Sequence, residues 1–567
     1  MRKKVDEEVT GMSRFPISPS WRAAMAAGLL AVAVAALGQQ GPVVSARAGQ
    51  RTPMPLPAPV DGAIRLSLDQ AIALAIANNQ DLNVAVNAAE ASKYYLVATE
   101  GIFDPVLGAF ANRNHQEIPA STILQGASVG IADTYNFGAN VTQLAPWGGT
   151  FQLGATGGQL STNSSFYVVN PTYSSGLTAS FSQPLLRNFG LAATKWQIWI
   201  AKNTRDATYQ QFVRSIQNGV NNVEQAYWDL AYAIQNLEVK KESLRIAQEL
   251  NRITKIKIDV GSLAPIDITQ TEFGIAQAEQ DIITADGQIG DAQDRLKRQL
   301  NFDPASWPAP IVPTDPVQVV ATTVKVDEGV QTALSKRPEV VTQAYLTDSD
   351  RIRLEYWSNQ TLPGVNLVGS WGTVGGTYAL LDANGIPVPG QIFGDSLGSV
   401  FHQAVNRDFR TWSIGLNITY PILNRYAKGQ QGAAKYTWES DKALLTTTQQ
   451  NVIVEVRAAA RAIDTAERQI DAARKGRELA EKNLDAEKKK FDNGMSTTFQ
   501  VNQVQRDLSA ARTTELQALV VYRKAVAQYH TAIADILEWK SIGIEGLPET
   551  TPPPMGPMQA PPASSTP

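Results

Sequence analysis

Between residues 253 and 300 the chain repeats itself every seven residues. Ile268, Ile275, Ile282, Ile289 and Leu296 fall seven apart, and Thr271, Ala278, Ala285 and Ala292 stand three places after the first four. Such a seam specifies a long helix against a partner, and small residues on alternate layers let that partner approach closely. The seam also runs backward across the turn VGSLAP at 260–265, through Leu244, Leu237, Leu230, Val223 and Ile216. Two heptad helices meeting at a glycine-containing turn predict an antiparallel hairpin. At 1.5 Å per residue its first arm, from about residue 191, is on the order of 100 Å long. A single compact core has no use for that length.

The hairpin has a counterpart. IDVGSLAPIDITQTEF at 258–273 is echoed by FDNGMSTTFQVNQVQR at 491–506, with Gly494 lying 233 residues after Gly261. Val456, Ile463, Ile470, Leu484 and Phe491 carry the heptad before that turn, and Val501, Val504, Leu508 and Ala511 carry it after. Earlier landmarks repeat too: Leu68 matches Val326, Leu82 matches Val340 and Pro105 matches Pro363, all at an offset of 258. The chain is an internal duplication.

After Pro105 and Pro363 the period changes to two. Trp412, Ile414, Leu416, Ile418 and Tyr420 alternate with Thr411, Ser413, Gly415, Asn417 and Thr419. Tyr173, Leu177, Ala179 and Phe181 alternate in the same way with small polar residues, and Val365, Leu367 and Trp371 give a shorter example. One apolar and one small polar face suits a barrel strand between lipid and a wet lumen, although a half-buried strand of a sandwich alternates similarly. Tyr135–Val141 and Phe151–Ala155 also alternate, so the first repeat holds more candidates than the second, whose interval between prolines is 21 residues shorter. The expectation is two spanning strands per repeat, the surplus hairpin lying in extracellular loops. The Gly-, Pro- and Asp-rich loop at about 374–404 is expected to cap the second pair. Pro184 and Pro421 close the strands and set the entry into the next helix.

The first 48 residues read as a secretory signal peptide: five basic residues precede the apolar run AMAAGLLAVAVAALG at 24–38, and VSARA at 44–48 offers small-residue cleavage sites. With no cysteine, disulfides and a lipidated N-terminal cysteine are excluded. A net charge of -3 gives no reason to expect a nucleic-acid partner. Beyond the leader no apolar run reaches transmembrane-helix length, so any span has to be closed β-sheet. His115, His402 and His530 have no ligand-spaced partners, and no nucleophile-elbow, P-loop or dinucleotide phrase occurs. No catalytic, cofactor or metal residues are assigned.

Taken with the phrases SQPLLRNFG at 182–190, TYPILNRYAKG at 419–429 and the two hairpin ends, the order of elements resembles the outer-membrane efflux channel family typified by TolC, over about residues 62–540. The resemblance implies a mixed α/β membrane protein and a homotrimer. In it, a twelve-stranded transmembrane barrel, four strands per protomer, continues as a periplasmic α-helical barrel. It divides the chain into a signal peptide (1–48), a Pro-rich segment (49–61), a first repeat (62–300), a linker (301–325), a second repeat (326–540) and a disordered tail (541–567). The first repeat has strands within about 106–183 and a hairpin at 191–300. The second has strands within about 364–420 and a hairpin at 430–538. A chain of four strands cannot enclose a lumen alone, which agrees with several copies.

The resemblance further implies an outer membrane of Gram-negative type, surrounding lipid, a periplasmic adaptor, and an inner-membrane pump or ABC exporter beyond it. The function implied is the exit duct of a tripartite efflux or type I secretion system; a structural or secretion-only role is the alternative. Adaptor contact is expected at Gly261, Ser262, Leu263, Gly494, Met495 and Ser496, where the two glycines also serve simply as turn residues. Asp267, six after Gly261, matches the family's acidic constriction; Gln500, six after Gly494, and Gln503 replace the carboxylates of the other repeat. Ser496 stands where a gate-holding basic residue is expected. Asp267 could equally cap a helix starting near Ile268.

Overall fold

The computed structural model describes residues 44–47, 54–59, 62–119, 127–165, 167–319 and 322–545. Most of the expected signal segment, and the tail from 546 onward, lie outside the described residues. Within the expected tail, Ile542–Glu545 is a short strand, β12; another, β1, is Val44–Arg47.

The first repeat opens with β2 (Ile64–Leu66), α1 (Leu68–Asn78) and α2 (Gln80–Glu100). Ser67 and Gln70 form a reciprocal capping box on α1, and the Asn79 side chain caps α2. Then come β3 (Val106–Pro119), β4 (Val129–Leu144), β5 (Thr150–Thr162) and β6 (Thr172–Pro184), followed by α3 (Leu191–Asp259) and α4 (Ile266–Leu300). After β7 (Ile311–Pro313) the second repeat supplies α5 (Val326–Lys336), α6 (Pro338–Gln360) and β8 (Gly364–Gly376). A small excursion follows, made of β9 (Tyr378–Leu381), β10 (Pro387–Phe393) and α7 (Leu397–Asn406). The repeat closes with β11 (Phe409–Thr419), α8 (Arg425–Asp492) and α9 (Thr498–Ala532).

Helices α3 and α8 run for 69 and 68 residues, about 100 Å each. In α4 the small layer Thr271, Ala278, Ala285 and Ala292 is buried, whereas Ile275, Ile282 and Ile289 are half-buried. The alanines therefore mark the close approach to α3, and the isoleucines keep apolar surface to spare. Midway along α3 the linker between the repeats is tied back to the first one. β2 pairs in parallel with β7, and the buried Tyr227 hydroxyl lies 2.5 Å from Asp315, whose carboxylate also accepts from Leu68 N–H at 2.7 Å. Burial, then the hydrogen bond to Asp315, holds the Tyr227 phenol well above its usual range.

The long strands form one antiparallel sheet in the order β11-β8-β6-β5-β4-β3. This corrects the expectation of two strands per repeat and four per protomer: the first repeat contributes four strands and the second two. The supposed surplus hairpin is not a loop. β4 pairs with β3 on one side and β5 on the other along nearly its whole length, and Ala145–Gly149 turns tightly between β4 and β5. One register row runs Leu107, Val141, Leu153, Ala179, Trp371 and Trp412, apolar across all six strands. The opposite face carries Asn140, Gln152, Ser180, Ser370 and Ser413, with glycines between.

Helix α7 packs on the apolar face, at the strand ends remote from the long helices, and reaches beyond the strand pair it was expected to cap. The Ser175 hydroxyl donates to the Val400 carbonyl at 2.6 Å, and the Phe401 ring lies 6.3 Å from Phe137. A Cβ on Gly375 would stand 1.9 Å from that carbonyl, so glycine there is what admits the helix. At the junctions, Pro184 ends β6 opposite Asn366 and Leu185 N–H donates to Val365 O at 2.7 Å. Pro421 lies between β11 and Asn424, the residue at the start of α8.

Candidate functional site

The two hairpin turns are built alike. Gly261 has φ +75° and Gly494 φ +73°. Ser262 N–H donates to Lys257 O at 2.7 Å and Gly261 N–H to Ile258 O at 2.8 Å; in the second turn Met495 donates to Lys490 O at 2.8 Å and Gly494 to Phe491 O at 3.2 Å. This six-to-one, five-to-two pattern satisfies the last carbonyls of each long helix and requires a left-handed residue at the glycine. No atom lies within 4 Å of a Cβ placed on either glycine, so substitution there meets backbone strain and no steric clash. Leu263 is half-buried; Val260, Ile266, Met495 and Phe499 are exposed apolar residues at or beside the two turns.

The structure joins the two tips. Leu250, Leu484, Phe491, Val501, Val504 and Leu508 form one buried cluster, with Leu263 packed against it. Lys257 donates its ammonium to Phe491 O at 2.6 Å, lies 4.1 Å from the Phe491 ring centroid and 3.8 Å from the Asp492 carboxylate. Sequence reading missed this residue, because its partners belong to the other repeat.

Helix α4 starts at Ile266 with Pro265 at its cap position, so Asp267 sits inside the first turn and is not the cap. Its carboxylate accepts from the buried Thr498 hydroxyl at 2.9 Å, across the hairpins, and Asn502 donates to Gln270 O at 3.1 Å beside it. Gln500 is exposed, its N–H capped by the Thr497 hydroxyl at 3.3 Å. Gln503 is half-buried and bonds along its own helix, to Asp507 at 3.0 Å and from Arg506 at 2.6 Å. Asp267 and Thr498 are thus brought together, while the side-chain hydrogen bonds of Gln503 run along its own helix and the N–H of Gln500 is taken by Thr497. Ser496 donates to the Glu487 carboxylate, which also receives Lys490 at 3.0 Å. The Ser496 bond, then the Lys490 bond, holds Glu487 below the usual carboxylate range.

Among the described residues no cluster of His, Asp and Glu has the makings of a metal site, and no helix is long and apolar enough to cross a membrane. His530 lies 2.8 Å from Asp535 and stacks on Trp539, a packing role.

A sequence profile described as outer membrane efflux protein matches residues 143–301 and 329–534. No curated protein matches the sequence. Among solved structures, the chain is similar to a membrane protein from Pseudomonas aeruginosa (TM-score 0.61, 17% identity, 82% of this chain and 90% of that one). It is similar also to the Campylobacter jejuni CmeC outer membrane channel (TM-score 0.60, 16% identity, 84% and 89%). A third is the open state of the Neisseria gonorrhoeae MtrE outer membrane channel (TM-score 0.56, 17% identity, 83% and 89%).

Proposed function

The chain belongs to the outer membrane efflux protein family, and from that membership we propose that three copies form the exit duct of a tripartite efflux or type I secretion system. Membership makes it an outer-membrane protein and a passive conduit, not an enzyme. The observation that carries the proposal is the two-faced sheet, apolar on one side over the half nearer the long helices and small and polar on the other, running directly into helices of about 100 Å. A sheet with open edges cannot stand in lipid, so copies have to close it. The helices then form a tube below, and a polar lining without tight sites suits the passage of small molecules or proteins.

In this reading the tip residues Gly261, Ser262, Leu263, Gly494, Met495 and Ser496 meet a periplasmic adaptor, and the exposed Val260, Ile266, Met495 and Phe499 supply apolar contact. The adaptor couples the duct to an inner-membrane pump or ABC exporter. Asp267, Gln500 and Gln503 line the periplasmic constriction. The test is the mass of the detergent-solubilised protein together with its conductance in planar bilayers. Trimers that conduct are expected; a monomer with intact β-content overturns the proposal.

A further inference from the structure

We propose that the barrel closes with eighteen strands, β3 of one copy pairing with β11 of the next; this rests on the three-copy reading above. All six strands of one copy stand in a single unbroken sheet, with β3 and β11 at its edges. Strand direction alternates across it, so the β11 edge of one copy and the β3 edge of another meet antiparallel. The occupant of each edge is therefore a second copy of this chain.

Three observations favour keeping β3 and β4 in the wall. The apolar row that ends at Trp371 and Trp412 begins at Leu107 and Val141, so the first hairpin turns the same face outward as the rest. A plug or a surface loop would have no use for that match. Releasing the hairpin to leave four strands would also break the whole β4–β5 ladder, from Ala132↔Thr162 to Leu144↔Thr150. The third is the stagger. Measured from the same row toward the long helices, β3 continues one residue, to Val106, and β11 seven, to Thr419: a drop of six residues over five strand-to-strand steps. Six residues at about 3.3 Å against five spacings of about 4.8 Å give a tilt of about 40°, within the range of closed membrane barrels.

The stagger sets the closing register. With the helix-side ends level, Thr419 meets Val106 of the next copy, and Ser413 then meets Asn112. Both belong to the lumen-side faces of their strands, so the pairing keeps the two strands' faces in phase across the junction. With that register the closed wall drops six residues over six spacings per copy, a tilt of about 35°, so eighteen strands make a wall of about 17 Å backbone radius, and twelve would make about 11 Å. The wider wall leaves room for bulkier cargo at the outer mouth.

The natural chain has no cysteine, so engineered pairs report cleanly. Ser413→Cys is combined in turn with Phe110→Cys, Asn112→Cys and Asn114→Cys, and separately with Thr156→Cys on β5, the strand that would be the edge in a twelve-strand barrel. Outer-membrane protein is oxidised and run denatured with and without reductant, and the mass of the native assembly is measured beside it. Within one copy residues 112 and 413 are five strands, about 24 Å, apart, so a bond between them is a bond between copies. Expected are reducible dimers and trimers from the β3 pairs, strongest with Asn112→Cys, and none from Thr156→Cys. Cross-linking through Thr156→Cys instead, or trimers that give no bond with any β3 position, overturns the eighteen-strand wall and leaves the duct proposal standing. A monomeric mass overturns both.

Discussion

Replacing Lys257 by methionine should loosen the hairpin tips from one another. Methionine keeps most of the aliphatic stem and removes the ammonium that donates to Phe491 O at 2.6 Å and lies 4.1 Å from the Phe491 ring centroid. A charged hydrogen bond to a carbonyl contributes about 1.5 to 3 kcal/mol. The cation over a ring adds about 0.5 to 1 kcal/mol. The Asp492 pair, at 3.8 Å with an exposed carboxylate, adds little. Together these give about 2 to 4 kcal/mol favouring joined tips, or about 30- to 1,000-fold in the population of separated ones. Spin labels on Val260→Cys and Met495→Cys read the distance between the turns in the assembled protein. A broadened, longer distribution is expected for Lys257→Met, with conductance raised in planar bilayers, and Lys257→Arg should retain the joined form. Unchanged distances and conductance in Lys257→Met would refute the idea that this contact holds the tips.

Asp267→Asn keeps an acceptor for Thr498 but removes a charge from each copy, so cation selectivity read from reversal potentials in a salt gradient should fall, and Gln500→Asp should raise it; equal potentials in all three proteins would put the constriction elsewhere. Glu487 is held below its ordinary value of 4.5 by Ser496 and Lys490, so its contribution is complete above that value and is lost as pH falls through the lower folded value. Ser496→Ala should therefore lower the melting temperature at pH 7 by a margin that shrinks progressively as pH falls below 4.5; a deficit that does not shrink would assign Ser496 another role. Gly375→Val places side-chain atoms against the Val400 carbonyl, and overpacking of this kind costs about 1 to 3 kcal/mol. Helix α7 should then leave the wall, read as new trypsin cleavage at Arg407 and Arg410 on intact cells.

The long helices and their turns were legible because their signals are local. A heptad is read within one helix, and a glycine at a left-handed position is required by its own φ. The strands were legible as strands but not as a sheet. Alternation over Tyr135–Val141 and Phe151–Ala155 tells which side chains share a face, and register across a turn is a tertiary matter that it does not settle. β3 hid its pattern further, since Phe110 lies on the polar face, its ring filling the space a Cβ on Gly138 would take. Helix α7 was read as a capping loop because its seat consists of what is missing from Gly375, and an absent side chain carries no periodicity. At the expected constriction the sequence offered Asp267 as an axial charge or a helix cap, and neither alternative contains Thr498, which comes from the other repeat.

The duplication explains why one lysine joins the tips and its counterpart does not. Lys257 and Lys490 are 233 residues apart, the same offset as Gly261 and Gly494, and their carbonyls accept the same turn hydrogen bond. Three residues before Lys490 stands Glu487, which takes its ammonium at 3.0 Å within the same helix. Three residues before Lys257 the equivalent is Thr254, buried, its hydroxyl without a partner among the described residues. With Ile253 and Thr254, and no carboxylate, four and three residues before it in α3, Lys257 turns to the Phe491 carbonyl of the other hairpin. Restoring the acid should therefore undo the link: Thr254→Glu is expected to draw Lys257 back along α3 and give the long label distances of Lys257→Met. Thr254→Gln controls for bulk, because it crowds the same buried place without offering a charge. If Gln and Glu separate the tips equally, crowding is the cause. If Glu alone does so, and Lys257→Met in the Glu background adds nothing further, the missing carboxylate is what directs Lys257 across.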